Sequence, residues 1–420
     1  MRRIARSAIC FLVVYCMVCI APTLPAQASD EEGKASVSIS DSATSDALEG
    51  LRITSGPYLQ APSETGVTIV WTTNKKCFSK VEFGTSPTDE LTAFNSQHGL
   101  IGANATLHTV RISGLKPGAE YYYRAVSTEI TDFQPYRVTY GQTVRSEWSS
   151  LSTLNRKKDG FSFVVLNDRH EKVKPLRTAL NSIRWDFVDL VFLNGDMLGQ
   201  VQKEQQIFHG LVNPCTEFFA GRIPFIFVRG NHEARGSLAR TLMSYFPSES
   251  ERYYYSFGQG PVHFLVLDSG EDKEDSHKEY SGLVDFDRYR DQETEWLKKE
   301  VRTAGFRKAK FRVAFVHMPL CGGGDNHGMQ DIREKWGPLL DKHGIDLMIS
   351  AHTHRYARIM PEKGKHAYPI LIGGTNTVIR ANVTKAQMEM IVSADDETVK
   401  DSFILSRKSR LWDRLVGVFR

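Results

Sequence analysis

Apolar positions along the chain fall into two rhythms. From about residue 160 onward, unbroken apolar runs recur: Phe161-Ser-Phe-Val-Val-Leu-Asn167, Leu190-Val-Phe-Leu193, Pro224-Phe-Ile-Phe-Val228, Phe311-Arg-Val-Ala-Phe-Val316 and Asp346-Leu-Met-Ile-Ser350. Each has strand length, and helix-length stretches separate them, the signature of βαβ units with buried parallel strands. Between residues 51 and 154 the rhythm is alternation instead. Val67-Thr-Ile-Val-Trp-Thr72 alternates with Trp71 inward, and Val81-Glu-Phe83, His108-Thr-Val-Arg-Ile112 and residues 115–126 follow between Gly and Pro turns. Short strands at this spacing predict a β-sandwich.

Further segments fill in the second region. Residues 253–268 read as a β-hairpin turning at Gly258-Gln-Gly-Pro261, and residues 369–372 and 388–392 as β segments completing a second sheet. Residues 288–304 and 331–343 read as helices. The expected fold class is α/β, two packed sheets flanked by helices (αββα), preceded by the all-β module. The polar stretch 269–289 carries Glu271, Asp272, Glu274, Asp275, Glu279 and Tyr280. Loops of this length are functional or disordered; a lid or substrate-selecting loop is expected here.

The ends differ from the middle. Met1-Arg-Arg-Ile-Ala-Arg6, the apolar stretch from Ala8 to Ile20, and Ala26-Gln27-Ala28 have the form of a secretory signal over residues 1–28, cleaved before Ser29. An uncleaved anchor is the rival, but the apolar run is shorter than the roughly 20 residues a spanning helix needs. Bulky residues precede Cys10, Cys16 and Cys19, unlike a lipoprotein box. An exported protein, periplasmic or secreted, is expected. Residues 29–50 are rich in Ser, Asp, Glu and Ala and read as a disordered spacer. The tail, 406–420, is basic, with Leu411, Trp412, Leu415, Val418 and Phe419 on one helical face. It suits contact with a membrane surface or docking onto the protein itself.

Composition narrows the picture further. At 420 residues the chain has room for two domains with sizeable cores. Its formal charge of +4 owes three positive charges to Arg2, Arg3 and Arg6 in the signal, so no nucleic-acid partner is implied. Cys77, Cys215 and Cys321 remain after cleavage, an odd and sparse set that is no disulfide framework.

The chemistry sits in short segments directly after the apolar runs: Asp168-Arg169-His170, Gly195-Asp196, Gly230-Asn231-His232-Glu233, Val316-His317 and His352-Thr353-His354. They offer oxygen and imidazole ligands, the set that suits a pair of hard or borderline divalent cations. In open α/β sheets, sites lie beyond the carboxyl ends of strands, where all of these fall. In extended backbone, residues i and i+2 share a side. Asp168 with His170, and His352 with His354, are therefore expected to face the metals together.

This ordered set, D-x-H, G-D, G-N-H-E, a lone H and H-x-H, resembles the calcineurin-like metallophosphoesterase superfamily over roughly residues 160–405. The resemblance implies a two-sheet metallophosphoesterase domain over residues 155–405. It implies that Asp168, His170 and His354 hold one metal, that Asn231, His317 and His352 hold a second, and that Asp196 and a water or hydroxide bridge them. It implies that His232 stabilises the transition state or protonates the leaving oxygen, with Glu233 as the carboxylate that orients it. Leu115-Lys-Pro-Gly-Ala-Glu-Tyr121 resembles the fibronectin type III family, where that tyrosine hydroxyl caps a corner; Gly56-Pro-Tyr-Leu-Gln60 resembles the start of the purple acid phosphatase N-terminal domain.

Three positions depart from the motifs. Asn167 and Ala351 stand where glycine is usual, and Gly199 stands where purple acid phosphatases have a metal-bound tyrosine. Without that phenolate, and with His170 added, a colourless Mn, Fe(II) or Zn pair is expected. His327, in Cys321-Gly-Gly-Gly-Asp-Asn-His-Gly328, is a candidate phosphate contact or a solvated loop histidine. Arg235 is a candidate fork for a phosphate oxygen or a surface arginine. The remaining histidines read as surface or structural. The expected function is a metal-dependent phosphoester hydrolase acting on a small phosphoester, most simply a monoester. A phosphodiesterase is the alternative, and a non-catalytic binding protein the rival from another class.

Overall fold

The computed structural model describes residues 50–89 and 91–406. The signal segment, the 29–49 part of the spacer and the tail from 407 lie outside the described residues.

The second region is built on two six-stranded sheets. The first runs, edge to edge, Phe225–Val228, Leu190–Asn194, Gly160–Leu166, Thr377–Thr384, Gln387–Ala394 and Val399–Ser406. Its first three strands are parallel and the rest antiparallel. The second runs Tyr255–Gln259, Val262–Val266, Phe311–Phe315, Leu347–Ser350, Ile370–Ile372 and Ala357–Ile359, parallel through its four inner strands. The five apolar runs are therefore shared between two sheets. The expected pair of later segments also divides: residues 370–372 join the second sheet, but 387–394 sits in the first.

The strands formed by the five apolar runs bury both faces, so their sequences read as continuous apolar runs. The period of two is still present, because alternate residues enter different cores. Phe163, Val165 and Phe192 point between the sheets, where they meet Phe264, Val313, Phe315 and Ile349. The Phe192 and Phe315 rings stack across this layer with centroids 3.8 Å apart. Val164, Leu166, Val191 and Leu193 point outward against the Val173–Asn181 helix and the helical run from Glu204 to Phe218. Leu265, Ala314, Met348 and Ile370 point the other way, against the Phe286–Glu300 and His327–His343 helices. The result is the four-layer αββα arrangement.

Both expected helices start earlier than their sequence indicates. Phe286–Glu300 begins where the Asp275 carboxylate accepts the Phe286 and Asp287 amides, at 2.9 and 3.0 Å. His327–His343 begins four residues before Asp331, with the Gly328 amide donating to the Asp272 carbonyl at 2.9 Å. In both cases residues of the 269–285 loop satisfy N–H groups that a helix leaves open at its start. The 269–285 loop packs inward, with Glu271 and Tyr280 buried within it.

The N-terminal β-rich part encloses its own core, with Trp71, Ile69, Val81, Ile112, Tyr121 and Tyr123 buried together. Seven of its strands form one continuous sheet rather than two separate layers, with a small two-stranded hairpin, Ser96–Gln97 and Leu100–Ile101, beside it. Gly66–Gly84 and Glu120–Gln134 change partners partway along, which lets one sheet fold around the core. Trp71 is fully buried and donates to Ser127 Oγ at 2.9 Å. The Tyr121 hydroxyl accepts the Lys116 amide at 3.0 Å, closing the turn before its strand.

This part is fastened to the two-sheet part. Tyr58 is buried in the outer core of the first sheet, stacks on Phe225 and donates to the Tyr245 carbonyl at 2.8 Å. Tyr123 and Ser149 hydroxyls both donate to the Gly221 carbonyl. Cys77, Cys215 and Cys321 are free thiols. No helix among the described residues is long and apolar enough to cross a membrane.

Candidate metal centre

Each proposed ligand follows the carboxyl end of a strand by two to four residues, His170 and His354 lying four past theirs. Asp168 follows Gly160–Leu166, Asp196 follows Leu190–Asn194, and Asn231 follows Phe225–Val228. His317 follows Phe311–Phe315 and His352 follows Leu347–Ser350. The connecting loops are tied to one another: the Asp168 amide donates to the Gly195 carbonyl, His170 to Asp196, and Ala351 to His317.

Their geometry is not the extended i, i+2 arrangement expected from sequence. Asp168, His170, Asp196, His352 and His354 all have left-handed φ angles, between 45° and 71°. Such backbone costs roughly 1–3 kcal/mol per non-glycine residue and persists only where surroundings hold it. Here the chain turns sharply at each strand end, and these turns, not strand alternation, aim the side chains together.

Two groups of ligand atoms result, each within 4.8 Å: Asp168, His170, Asp196 and His354; and Asp196, His317 and His352. Asp196 belongs to both. Asn231 joins the second group, its Oδ1 lying 3.1 Å from His352 Nδ1. In the first, the His170 and His354 Nε2 atoms are 3.0 Å apart. Two glycines make this closeness possible. A Cβ at Gly195 would fall 2.2 Å from His317 Nδ1, and one at Gly230 would fall 2.2 Å from Asp196 Oδ1.

The residues fit a pair of cations. Asp168 Oδ1 is buried without a hydrogen-bond partner, an expensive state unless an ion completes it, and the buried His317 Nε2 faces Asp196 Oδ2 at 3.2 Å. Burial alone would lower the His317 pKa, but Asp196 and Asp168 outweigh it and push it up to about 10. The pocket thus favours a positive charge at this point. Burial lowers His170 and His352 to about 4, so both are neutral near pH 7 and keep a lone pair for coordination. Asp196 is held below the usual carboxylate range: His317 and His232 overcome the opposing effect of burial.

His232 lies beside this cluster, half-exposed, with its ring centroid 4.8 Å from that of His170. Its Nδ1 is 3.0 Å from the Gly199 carbonyl and its Nε2 is 3.9 Å from Asp196 Oδ2. Glu233 does not orient this ring, contrary to expectation. Its fully buried carboxylate accepts the amides of Asp196, Leu198 and Gly230, each at 2.8 Å. It therefore fixes the two ligand-bearing loops, and the Gly199 carbonyl orients the imidazole.

The other two candidates have carboxylate partners. His327 is the first residue of a helix rather than part of a flexible loop, and its Nε2 lies 2.7 Å from Asp287 Oδ1. Arg235 directs its fork at Glu271, with Nε and Nη2 donating at 2.8 and 2.9 Å. Sequence reasoning noted Asn167 only as a departure from the motif glycine and Glu271 only as part of the polar 269–289 stretch; their contacts give each its role at the site. Outside the motifs, His108 pairs with Thr73 and His263 with Glu300.

Comparison with known proteins agrees with this architecture. The calcineurin-like phosphoesterase profile matches residues 161–356, and that of the purple acid phosphatase N-terminal domain matches residues 55–153. Human acid phosphatase type 7 is 22% identical over 334 residues, covering 72% of this chain and 70% of the relative. Probable purple acid phosphatase 20 of Arabidopsis thaliana is 23% identical over 330 residues, covering 72% and 69%. Among solved structures, a purple acid phosphatase from yellow lupin (Lupinus luteus) seeds superposes with a TM-score of 0.63 at 16% identity, covering 84% of this chain and 74% of that one. PhoD superposes with a TM-score of 0.57 at 12% identity, covering 85% and 90%. The purple acid phosphatase family uses a dinuclear metal centre, and the Asp/His groups described above are able to bind metal. With this fold, this ligand set and both domain matches in hand, the chain carries a calcineurin-like phosphoesterase domain behind a purple acid phosphatase N-terminal domain, and is a metallophosphoesterase-type hydrolase.

Proposed function

We propose that the protein is an exported phosphomonoesterase in which Asp168, His170 and His354 hold one divalent ion, Asn231, His317 and His352 a second, and Asp196 both. The observation that carries this reading is the place of Asp196 in both ligand groups. When bound, such an ion pair supplies Lewis-acid charge toward phosphoryl oxygens and lowers the pKa of a water toward neutrality. His232 borders the same space with Nε2 on the cluster side, where it can donate to a phosphoryl or leaving-group oxygen once protonated. Glu233 and Gly199 keep loop and ring in place. The human and plant relatives named as acid or purple acid phosphatases support the monoester assignment. Gly199 offers no phenolate, so an iron-loaded sample should be colourless.

Metal analysis with aryl phosphate mono- and diesters assayed side by side tests the proposal. Monoester turnover with two metals per chain is expected. Asp196→Ala should lose both metal and activity; His232→Ala should keep metal and lose about 10²–10³-fold in kcat. Turnover surviving in Asp196→Ala would overturn the reading, and faster diester cleavage would reassign the substrate class. N-terminal sequencing of protein recovered outside the cytoplasm, starting at Ser29, tests export.

A further inference from the structure

One side chain beside the cluster has no part in the assignments above. Arg235 lies three residues past His232, and its guanidinium bonds in three directions. Nε and Nη2 grip the Glu271 carboxylate from both ends, at 2.8 and 2.9 Å. Nη2 also reaches Asp272 Oδ1 at 3.4 Å. Nη1 lies 3.3 Å from His232 Nε2.

Glu271 is only 1% exposed, and it accepts a further bond from the Tyr280 hydroxyl at 3.0 Å. Tyr280 closes the far side of the 269–285 loop, so Glu271 sits at the centre of that loop's packing. The loop is anchored behind it by Arg290, which donates to the Ser269 and Glu271 carbonyls. Arg235 is thus the bridge between this loop and the imidazole.

The other side of the ring is equally defined. A carbonyl oxygen accepts only, so the bond at Gly199 requires the proton on His232 Nδ1. An arginine donates only, so in the neutral imidazole Nε2 is the acceptor toward Arg235, which aims the ring before Nε2 takes up the proton it later donates. The imidazole is held at both nitrogens, from the Asp196 loop through Gly199 and from the 269–285 loop through Arg235. Two opposed bonds restrict the ring's rotation far more than one, and ring orientation decides whether Nε2 meets the reacting oxygen.

We propose that Arg235 is a positioning residue that couples the 269–285 loop to His232, and that its fork is committed to Glu271 rather than to the phosphoryl group. This rests on the phosphoester-hydrolase reading. It separates two roles with opposite kinetic signatures. A phosphate ligand contributes to ground-state binding, and its loss raises KM. A residue that aims His232 acts on the chemical step, and its loss lowers kcat. Lysine should not replace it, because a single ammonium cannot grip both Glu271 oxygens and still reach the imidazole.

The test compares Arg235→Met, Arg235→Lys, Glu271→Gln and the Arg235→Met/Glu271→Gln pair with the parent chain. The readouts are kcat, KM, inhibition by inorganic phosphate, metal content and thermal midpoint. In each variant kcat should fall by about tenfold or more, as for partners that orient functional side chains. KM and the phosphate inhibition constant should stay within about twofold, with metal content unchanged and the double variant no worse than the worse single one. Arg235→Met that raises KM and weakens phosphate inhibition, while Glu271→Gln strengthens it, would make Arg235 a phosphate ligand and overturn the proposal. Full kcat in Arg235→Met would overturn it as well. A parent chain without phosphoester turnover would instead sink the hydrolase reading. Histidine side-chain nitrogen shifts then report on the coupling alone: the parent should show His232 in its Nδ1–H form, and Arg235→Met should change that signal. An unchanged signal counts against the coupling.

Discussion

The Asn167 side-chain amide donates to Asp168 Oδ2 at 2.7 Å, while Asp168 Oδ1 has no hydrogen-bond partner. Both residues are fully buried. The His352 amide also reaches Oδ2, at 3.2 Å. One oxygen is thereby occupied and the other is left facing the ligand group. The asparagine standing where related motifs have glycine is thus a device for turning the carboxylate.

Asn167→Ala should leave Asp168 free to rotate. Metal affinity is expected to fall by about tenfold, in line with other partners of metal ligands. Metal retained on dialysis against graded chelator concentrations reads this directly, and retention equal to the parent's would show that the His352 amide suffices.

Glu233→Gln tests the clamp on the two loops. Each carboxylate oxygen accepts backbone N–H groups, and an amide nitrogen in either place would oppose a donor with a donor. A loss of about 1–3 kcal/mol in stability is expected, together with weaker metal binding. If the ring of His232 depended on this carboxylate, activity would fall with stability and metal content intact; the geometry predicts the reverse.

Tyr58 reports on how far the β-rich part stabilises the rest. Tyr58→Ala removes a buried ring stacked on Phe225 and should cost about 3–5 kcal/mol. Tyr58→Phe loses only the bond to the Tyr245 carbonyl and should cost about 1 kcal/mol. Denaturant midpoints of the two variants should rank in that order. Equal midpoints would mean that the ring's packing contributes nothing.

His108 gives the fold a pH dependence remote from the ligand groups. Burial lowers its pKa to about 4, against an unfolded value near 6.5. Its Nε2 is 2.7 Å from Thr73 Oγ1, and its ring lies beside Trp71. Because the folded value is the lower one, the unfolded chain takes up the proton first. The contribution to stability is complete above about pH 6.5, is lost as pH falls toward 4, and changes no further below that. At pH 5 the loss is on the order of 2 kcal/mol. His108→Gln keeps a polar partner for Thr73 without titrating, so its thermal midpoint should drop less between pH 7 and pH 5 than the parent's.

Much of the catalytic region was legible in the chain itself. The five apolar runs are strands because each buries both faces, and ligands appear just past their ends because that is where a sheet opens to solvent. The motif order placed Asp168, His170, Asp196, Asn231, His317, His352 and His354 in one family pattern, and the structure gathers them. The helix starts were not legible, because Asp275 and Asp272 of the 269–285 loop cap them rather than the adjoining residues. Nor was the sheet assignment of residues 387–394, since an amphipathic strand pairs equally well with either sheet until its neighbours are fixed.

Residue types and their order along the chain determined which atoms are available to hold cations and which segments become strands. Direction was decided only in three dimensions. The left-handed turns at Asp168, Asp196 and His352, the grip of Glu233 on two loops, the Asn167 bond to Asp168 and the Arg235 link to His232 all join residues that face one another only after folding. Periodicity sets which face a side chain occupies within a regular element. Past the end of a strand the backbone has no period, and contacts distant in sequence aim each ligand.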